Sequence, residues 1–122
     1  MFTHTMVGTK DPSLARRFYD AVMGVLGHKR STPDDSDRHF YGQFGGGAFG
    51  VGKPANGEDA THANGGTIGF QAKDRAAVDA WHKAGLENGG TCEGPPGERM
   101  NGGAYGAYLR DPDGNTLCAF TK

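Results

Sequence analysis

The sequence predicts an α+β fold made of two copies of one module, in which a strand and a helix are followed by two or three antiparallel strands in a curved sheet. The first observation is a repeat, in which residues 4–11 and 67–74 align at an offset of 63 and both end in Lys-Asp. The second is a switch in each copy from two-residue apolar alternation to helical spacing. The third is glycine, at 22 of 122 residues, which lies between apolar residues as in strongly bent strands. A duplicated unit in so short a chain restricts the fold to a few choices.

The first module begins with a strand over residues 2–9, in which alternation puts His4 and Met6 on one face. Asp11 and Pro12 fit the N-cap and the first position of a helix, and Gly27 fits its end. The helix is predicted to be amphipathic because apolar residues recur at spacings of four, four and three, at Leu14, Phe18, Val22 and Val25.

The rest of the first module is a predicted hairpin. Strands over residues 38–44 and 48–52 flank the turn Gly45-Gly46-Gly47. The polar segment that follows is rich in Pro, Asn and Gly, which indicates a linker. The resulting division is module one at 1–53, a linker at 54–65 and module two at 66–122.

The second module repeats the strand and the helix. A strand over residues 67–72 places Ile68 and Phe70 on one face. Asp74 is the predicted cap of a helix that runs to about Asn88. The predicted apolar face of this helix carries Val78, Trp81 and Leu86.

Two neighbouring residues of this second helix receive different predictions. Trp81 aligns with Phe18 of the first helix, so we expect a core position for both side chains. His82 follows Trp81 and is predicted to lie at the surface.

The end of the chain is predicted to be a short strand, a loop and a closing hairpin. Thr91–Glu93 forms the strand and Gly94-Pro95-Pro96-Gly97 the loop. Strands over residues 104–110 and 115–121 flank Asp111-Pro112-Asp113-Gly114, in which Pro and Gly occupy the positions they prefer in a type I turn.

Charge and composition exclude several classes of partner. A formal net charge of −1, with scattered basic residues, predicts no nucleic-acid partner. No apolar run approaches the ~20 residues that span a bilayer, and no secretory signal is expected, so we predict no membrane partner. Two cysteines, Cys92 and Cys118, make no disulfide framework, which favours a cytoplasmic location with reduced thiols.

The whole chain resembles the glyoxalase / bleomycin-resistance / extradiol-dioxygenase superfamily, also called vicinal oxygen chelate proteins. The most specific segment is Ala104–Asn115, in which an aromatic strand runs into Asp-Pro-Asp-Gly-Asn. Further matching segments are Gly66–Phe70, Asp74–Gly90 and Gly94–Gly97. The resemblance implies two βαβββ modules whose curved mixed sheets enclose a pocket for a small molecule. It also implies a homodimer, often with each site built from both chains.

Metal-using members of this superfamily hold a divalent ion with, typically, two His and a Glu, and the ion polarises substrate oxygens. His4 is the one position that matches a family ligand in type. Thr67 stands where a second His is usual, Cys118 where the Glu is usual, and residues 49–51 offer only apolar side chains and Gly. This set suits Fe(II), Mn(II) or Ni(II) poorly, and a His–thiolate pair could favour zinc, so a metal cofactor (Zn, Fe, Mn or Ni) stays open.

The predicted ligand pocket is formed by His4, Thr67, Arg99, Asn101, Tyr105 and Cys118. Arg99 and Asn101 precede the closing hairpin, in a region that family members use as a lid. Alternation puts one of Tyr105 and Tyr108 on the pocket side and the other beneath a helix or at an interface. Cys118 is either a buried apolar residue or a pocket thiol, and His4, which could be close to it in this fold, is the available base.

Three functions follow from the resemblance and the altered ligand set. The first is binding of a small organic molecule, as in bleomycin resistance, which requires no metal. The second is a divalent-metal-dependent lyase or ring-cleaving dioxygenase with an atypical ligand set. The third is an accessory domain with a vestigial pocket. The substrate or ligand is left open, because one fold hosts unrelated chemistries.

Overall fold

The computed structural model describes residues 1–99 and 102–122, and its strands form two mixed sheets. The elements are, in chain order, β1 (His4–Gly8), α1 (Pro12–Val25), β2 (Arg38–Tyr41), β3 (Ala48–Gly52), β4 (Thr67–Gln71), α2 (Arg75–Glu87), β5 (Thr91–Arg99), β6 (Ala104–Arg110) and β7 (Thr116–Thr121). The predicted α+β fold with two related modules is confirmed.

The first module forms a three-stranded sheet in the order β1-β3-β2, with β1 parallel to β3. β2 and β3 pair antiparallel, as the hairpin prediction requires. β2 ends at Tyr41, earlier than predicted, because Gly42 turns the chain away at φ +79°. A single bridge between Arg30 and Tyr41 stands where the second module has a full strand, β5.

The second module forms a four-stranded sheet in the order β4-β7-β6-β5. The predicted closing hairpin of β6 and β7 is confirmed. The predicted loop over residues 94–97 is wrong, because β5 continues through it from Thr91 to Arg99. β5 is an edge strand, and its register shifts on either side of Gly94, so the two prolines fall where the ladder requires no N–H group.

Both helices begin where the sequence predicts. The Asp11 carboxylate accepts hydrogen bonds from the backbone N–H groups of Ser13 and Leu14, and the Asp74 carboxylate accepts one from Ala77. Past the helix ends, Gly27 and Gly89 adopt φ values of +88° and +99°. Among the described residues, neither helix has the length and apolarity needed to cross a membrane.

Two predictions on α2 are wrong. Leu86 is 44% exposed, because it lies about 140° around the helix from Trp81; Gly85 occupies the buried face instead. His82 is only 8% exposed, because it packs between α2 and β5 rather than facing water.

The core is shared by the two modules. Phe18 and Trp81 are both fully buried, as predicted, and α1 packs against α2. The largest buried side chains from the two halves belong to one apolar cluster, which includes Phe18, Tyr19, Val22, Tyr41, Val51, Val78, Trp81, Leu109 and Leu117. Each half therefore buries its apolar face partly against the other.

The closing turn joins the second module to the first. The Tyr19 hydroxyl of α1 donates to Asp111 Oδ2 at 2.5 Å. Asn115 Nδ2 donates both to that carboxylate and to the Gly8 carbonyl. The Lys10 N–H donates to Asp113 Oδ1 at 2.8 Å. This turn therefore holds the end of β1 and the start of α1 in place against the second sheet.

Candidate functional site

Each sheet turns one face toward the helices and leaves the other open. We call the faces turned away from α1 and α2 the open faces. On β1, Met6 is 40% exposed on the open face while Val7 packs against the core. On β4, Gly69 is exposed while Ile68 and Phe70 pack against the core. The alternation predicted for both strands is confirmed, and His4 and Thr67 lie on the open faces.

The open face of the three-stranded sheet carries a cavity of about 360 Å³, the His4 cavity. Its lining residues are His4, Ser31, Phe40, Gly42, Phe44 and Ala48. The His4 ring lies 5.9 Å from the Phe44 ring, and its Nδ1 lies 3.0 Å from Thr3 Oγ1. His4 therefore supplies an exposed imidazole at the rim of a mainly aromatic hollow.

The open face of the four-stranded sheet carries a second cavity of about 620 Å³, the Cys118 cavity. Its lining residues are Gly69, Phe70, Gln71, Ala104, Tyr108, Cys118, Phe120, Thr121 and Lys122. Strand register sets Gly69, Cys118 and Tyr108 side by side across three strands. A Cβ on Gly69 would lie 3.2 Å from Cys118 Sγ. The absence of a side chain at Gly69 therefore makes the cavity deeper at this point.

Several cavity residues were not singled out from the sequence. Gln71 and Phe120 line the Cys118 cavity, and Phe40 and Phe44 line the His4 cavity. Gln71 lies two residues after Gly69, so period-two alternation could have placed it on the same face. Phe44 follows the end of β2, and strand alternation gives no signal for a residue in a turn.

Cys118 is 7% exposed, and burial raises the pKa of its thiol. A thiol with a raised pKa is protonated at neutral pH and is a weak nucleophile and a weak metal ligand. Its contribution to the cavity is that of a small apolar wall residue, one of the two alternatives open from the sequence.

Arg99, the last residue of β5, lies beside the Cys118 cavity. Its Nη2 donates to the Pro95 carbonyl at 2.7 Å. A Cβ on Gly94 would lie 3.2 Å from that nitrogen and 3.5 Å from Tyr108 Cδ1, so the bare glycine lets the guanidinium and the tyrosine ring share one patch of the open face. Asn101, the other predicted lid residue, lies outside the described residues.

The two tyrosines of β6 face opposite ways. Tyr108 lines the Cys118 cavity and meets the Phe120 ring edge to face at 5.7 Å. Tyr105 lies on the helix side, where its hydroxyl donates to Asp79 at 2.6 Å and its ring lies 4.8 Å from the Arg75 guanidinium carbon. The structure therefore puts Tyr108, not Tyr105, on the cavity side.

The residues at the family's metal-ligand positions do not fit the usual ion. Within residues 1–99 and 102–122, no three His, Cys, Asp or Glu side chains gather where they could share an ion. Within one chain His4 and Cys118 line separate cavities, so the structure does not bring this pair together. Thr67 is exposed at the start of β4, opposite Thr116. An imidazole, a hydroxyl and a high-pKa thiol lack the carboxylate that Fe(II), Mn(II) and Ni(II) favour.

Comparison with known proteins identifies relatives of the whole chain. The model of the Glyoxalase/Bleomycin resistance protein/Dioxygenase superfamily matches residues 1–119. A glyoxalase/bleomycin resistance protein from Albidiferax ferrireducens T118 is 48% identical, with a TM-score of 0.91 over 100% of this chain and 98% of that one. No functionally curated protein matches the sequence.

More distant structures share the fold. A lactoylglutathione lyase from Agrobacterium tumefaciens is 23% identical, with a TM-score of 0.68 over 98% of this chain and 92% of that one. The fosfomycin resistance protein FosX from Mesorhizobium loti is 16% identical, with a TM-score of 0.70 over 100% of this chain and 92% of that one. At these identities the likeness concerns the fold alone.

Proposed function

The chain belongs to the Glyoxalase/Bleomycin resistance protein/Dioxygenase superfamily, and from that premise we propose that it has a degraded metal site and binds a small organic molecule on its open sheet faces. The observation that carries the proposal is the pair of cavities, of about 360 and 620 Å³, on faces that no described helix covers. Cavities of this size suit drug-sized ligands. The altered ligand set supports binding that is independent of the family's usual ion.

The lining of the cavities indicates the chemistry of the ligand. Aromatic rings form much of both walls, at Phe40, Phe44, Tyr108 and Phe120. Cationic groups stand at the rim of the larger cavity, at Lys122 and Arg99. An apolar or aromatic molecule that carries a carboxylate or a carbonyl group complements this arrangement. His4 and Gln71 add hydrogen-bonding groups that could orient it.

The proposed binding unit is a homodimer. Each cavity is open on the side away from its own sheet, and Phe44 beside His4 is 77% exposed. Packing the three-stranded sheet of one protomer over the four-stranded sheet of the other would cover Phe44 and close both cavities. Each closed site would then combine His4 from one protomer with Tyr108 and Cys118 from the other.

A cytoplasmic location is part of the same proposal. Cys92 and Cys118 are both free thiols, and Cys92 is exposed. Exposed free thiols persist in reducing compartments, which is where we expect the protein.

A ligand screen with a cavity-filling variant tests the proposal. Thermal melting against apolar carboxylates and carbonyl compounds should find stabilising molecules, because ligands that bind the folded state raise its stability. Gly69→Val should weaken binding of such a molecule by about tenfold or more, since its side chain would fill the cavity floor over Cys118. Gly24→Ala is the matched control, because Gly24 is exposed on α1 with open space around it. A screen without any binder would support the accessory-domain alternative and count against our proposal.

A metal-dependent lyase or dioxygenase is the second candidate. The observation that favours it is His4, which keeps the family's ligand type and lies at the rim of a cavity. Melting curves with Mn, Fe, Co, Ni and Zn salts, together with elemental analysis of tag-free protein, separate the two candidates. Stoichiometric metal, or stabilisation by one ion that His4→Ala abolishes, would favour the enzyme; the absence of both favours metal-independent binding.

A further inference from the structure

A cysteine and a histidine meet on the helix side of the four-stranded sheet, away from both cavities. His82 Nε2 of α2 lies 3.2 Å from Cys92 Sγ of β5, within hydrogen-bonding distance. Cys92 is exposed, whereas His82 is only 8% exposed. Within residues 1–99 and 102–122, this sulfur is the hydrogen-bond contact of the His82 ring. A nearly buried imidazole is therefore aimed at a thiol that solvent can reach.

The strand geometry explains why the thiol is accessible. Cys92 pairs with Leu109, which is fully buried beneath α2, so the cysteine side chain also points to the helix side. The register shifts directly after Cys92, at a bulge, and β5 is the edge of the sheet. Bulges re-aim side chains, and an edge strand leaves its outer rim uncovered.

The surroundings of His82 favour a neutral ring. Burial lowers the pKa of His82, and the Asp79 carboxylate one turn earlier on α2 partly offsets this. The Asp79 carboxylate itself accepts a hydrogen bond from Tyr105 of β6. The Cys92 thiol faces the ring from the sheet, and the strand neighbour of Cys92 on β6 is the apolar Leu109. A neutral imidazole at this distance can accept the proton of the thiol as the sulfur attacks.

We propose that Cys92 is a modification site for low-molecular-weight disulfides, with His82 carrying the proton. Cys92 Sγ attacks one sulfur of the disulfide RSSR, forming a Cys92–S–SR bond while the S–S bond of RSSR breaks. The thiol proton passes to His82 Nε2 and then to the departing RS⁻, which leaves as RSH. Cys92 is oxidised and one RS group is reduced, so electrons and protons balance.

Glutathione disulfide is the probe. Cys92 is the site under test, and Cys118 is the internal reference. Adducts at each cysteine are quantified by peptide mass spectrometry over time in the folded protein. We expect Cys92 to react at least about tenfold faster than Cys118, which is buried with a raised thiol pKa, and both to react alike after unfolding. Equal rates in the folded protein would overturn the proposal.

A histidine variant tests the role of the imidazole. His82→Gln should slow the Cys92 reaction at pH 7 by about tenfold, because the proton acceptor is lost. His28→Gln, an exposed histidine beyond α1, is the matched control and should react like the parent protein. Circular dichroism and melting confirm that both variants are folded. A folded His82→Gln protein that reacts at the parent rate would contradict the assignment.

The pH profile of the parent protein tests the same step without a substitution. A thiol that reacts only as free thiolate slows about tenfold for each pH unit below its pKa. With His82 accepting the proton, the Cys92 rate should instead change little between about pH 7 and pH 8, because the lowered pKa of His82 leaves its ring neutral there. A tenfold fall per pH unit over this range would exclude the imidazole from the reaction.

Discussion

At Asp111, burial and hydrogen bonding act on one carboxylate in opposite directions. Burial raises its pKa most strongly, while hydrogen bonds from the Tyr19 hydroxyl, the Asn115 amide groups and the Asp113 N–H lower it; the net shift is upward. Burial also raises the pKa of Tyr19, so its hydroxyl stays a donor. A carboxyl whose pKa is higher in the folded state binds more protons there than when unfolded. Its contribution to stability is therefore lost as the pH rises through the folded pKa.

Removing the Tyr19 hydroxyl should destabilise the protein more at pH 7 than near the ordinary Asp pKa. Tyr19→Phe takes a donor from a buried carboxylate, which costs about 1–3 kcal/mol when the group is charged. Once protonated, Asp111 requires that donor less, so the cost should shrink at low pH. Urea unfolding of the variant and the parent, across a pH series, measures the difference.

Tyr41→Phe is the control for this series, because Tyr41 donates to Asp20, whose side chain is 39% exposed and can take water as its partner. Its smaller cost should change little with pH. If Tyr19→Phe lowers the free energy of unfolding by the same amount at every pH, the charge of Asp111 does not determine that loss.

The elements that were predicted well are those whose signals are local. The caps of both helices and the β6–β7 hairpin depend on residues within a few positions of each other, and the structure confirms them. β5 was predicted too short, over Thr91–Glu93 alone, because its prolines are tolerated only in an edge strand with bulges. Edge position depends on the order of strands in the sheet, which no local pattern encodes. His82 was misassigned for the same reason, since β5 is the strand against which it packs.

The N-caps are predicted to differ in strength. Asp11→Ala leaves two backbone N–H groups, those of Ser13 and Leu14, without their side-chain acceptor, whereas Asp74→Ala leaves one, that of Ala77. We expect losses of about 1–2 kcal/mol for Asp11→Ala and about 1 kcal/mol for Asp74→Ala in urea unfolding. The Asn variant at each position keeps the acceptor oxygen and should lose much less. If Asn and Ala variants are equally destabilised, the helices do not depend on these side-chain acceptors.

At the scale of the molecule, what the sequence could not predict is which surfaces face each other. The repeat and the resemblance predicted two modules, yet the turn that joins them acts through Tyr19, 92 residues before Asp111 in the chain. Likewise His4, Thr67 and Cys118 were correctly placed on strands, but within one chain His4 and Cys118 line separate cavities. Long-range packing determines both the Tyr19–Asp111 contact and the separation of His4 from Cys118. Two-residue and helical periodicities report only local structure and do not predict such packing.

The cavities on the two uncovered sheet faces predict that the protein is a dimer in solution. If a second protomer closes them, the protein in solution should have twice the 12.8 kDa chain mass in light scattering across a dilution series. Phe44→Glu should shift it toward the monomer, because Phe44 is 77% exposed in the single chain and would be covered in the dimer. Leu86→Glu is the control, since Leu86 is an exposed apolar residue on α2, away from the open faces. The parent protein could instead be monomeric at every concentration and still bind a ligand in the Cys118 cavity. In that case the complete site lies within one chain, and the His4 cavity has no role in binding.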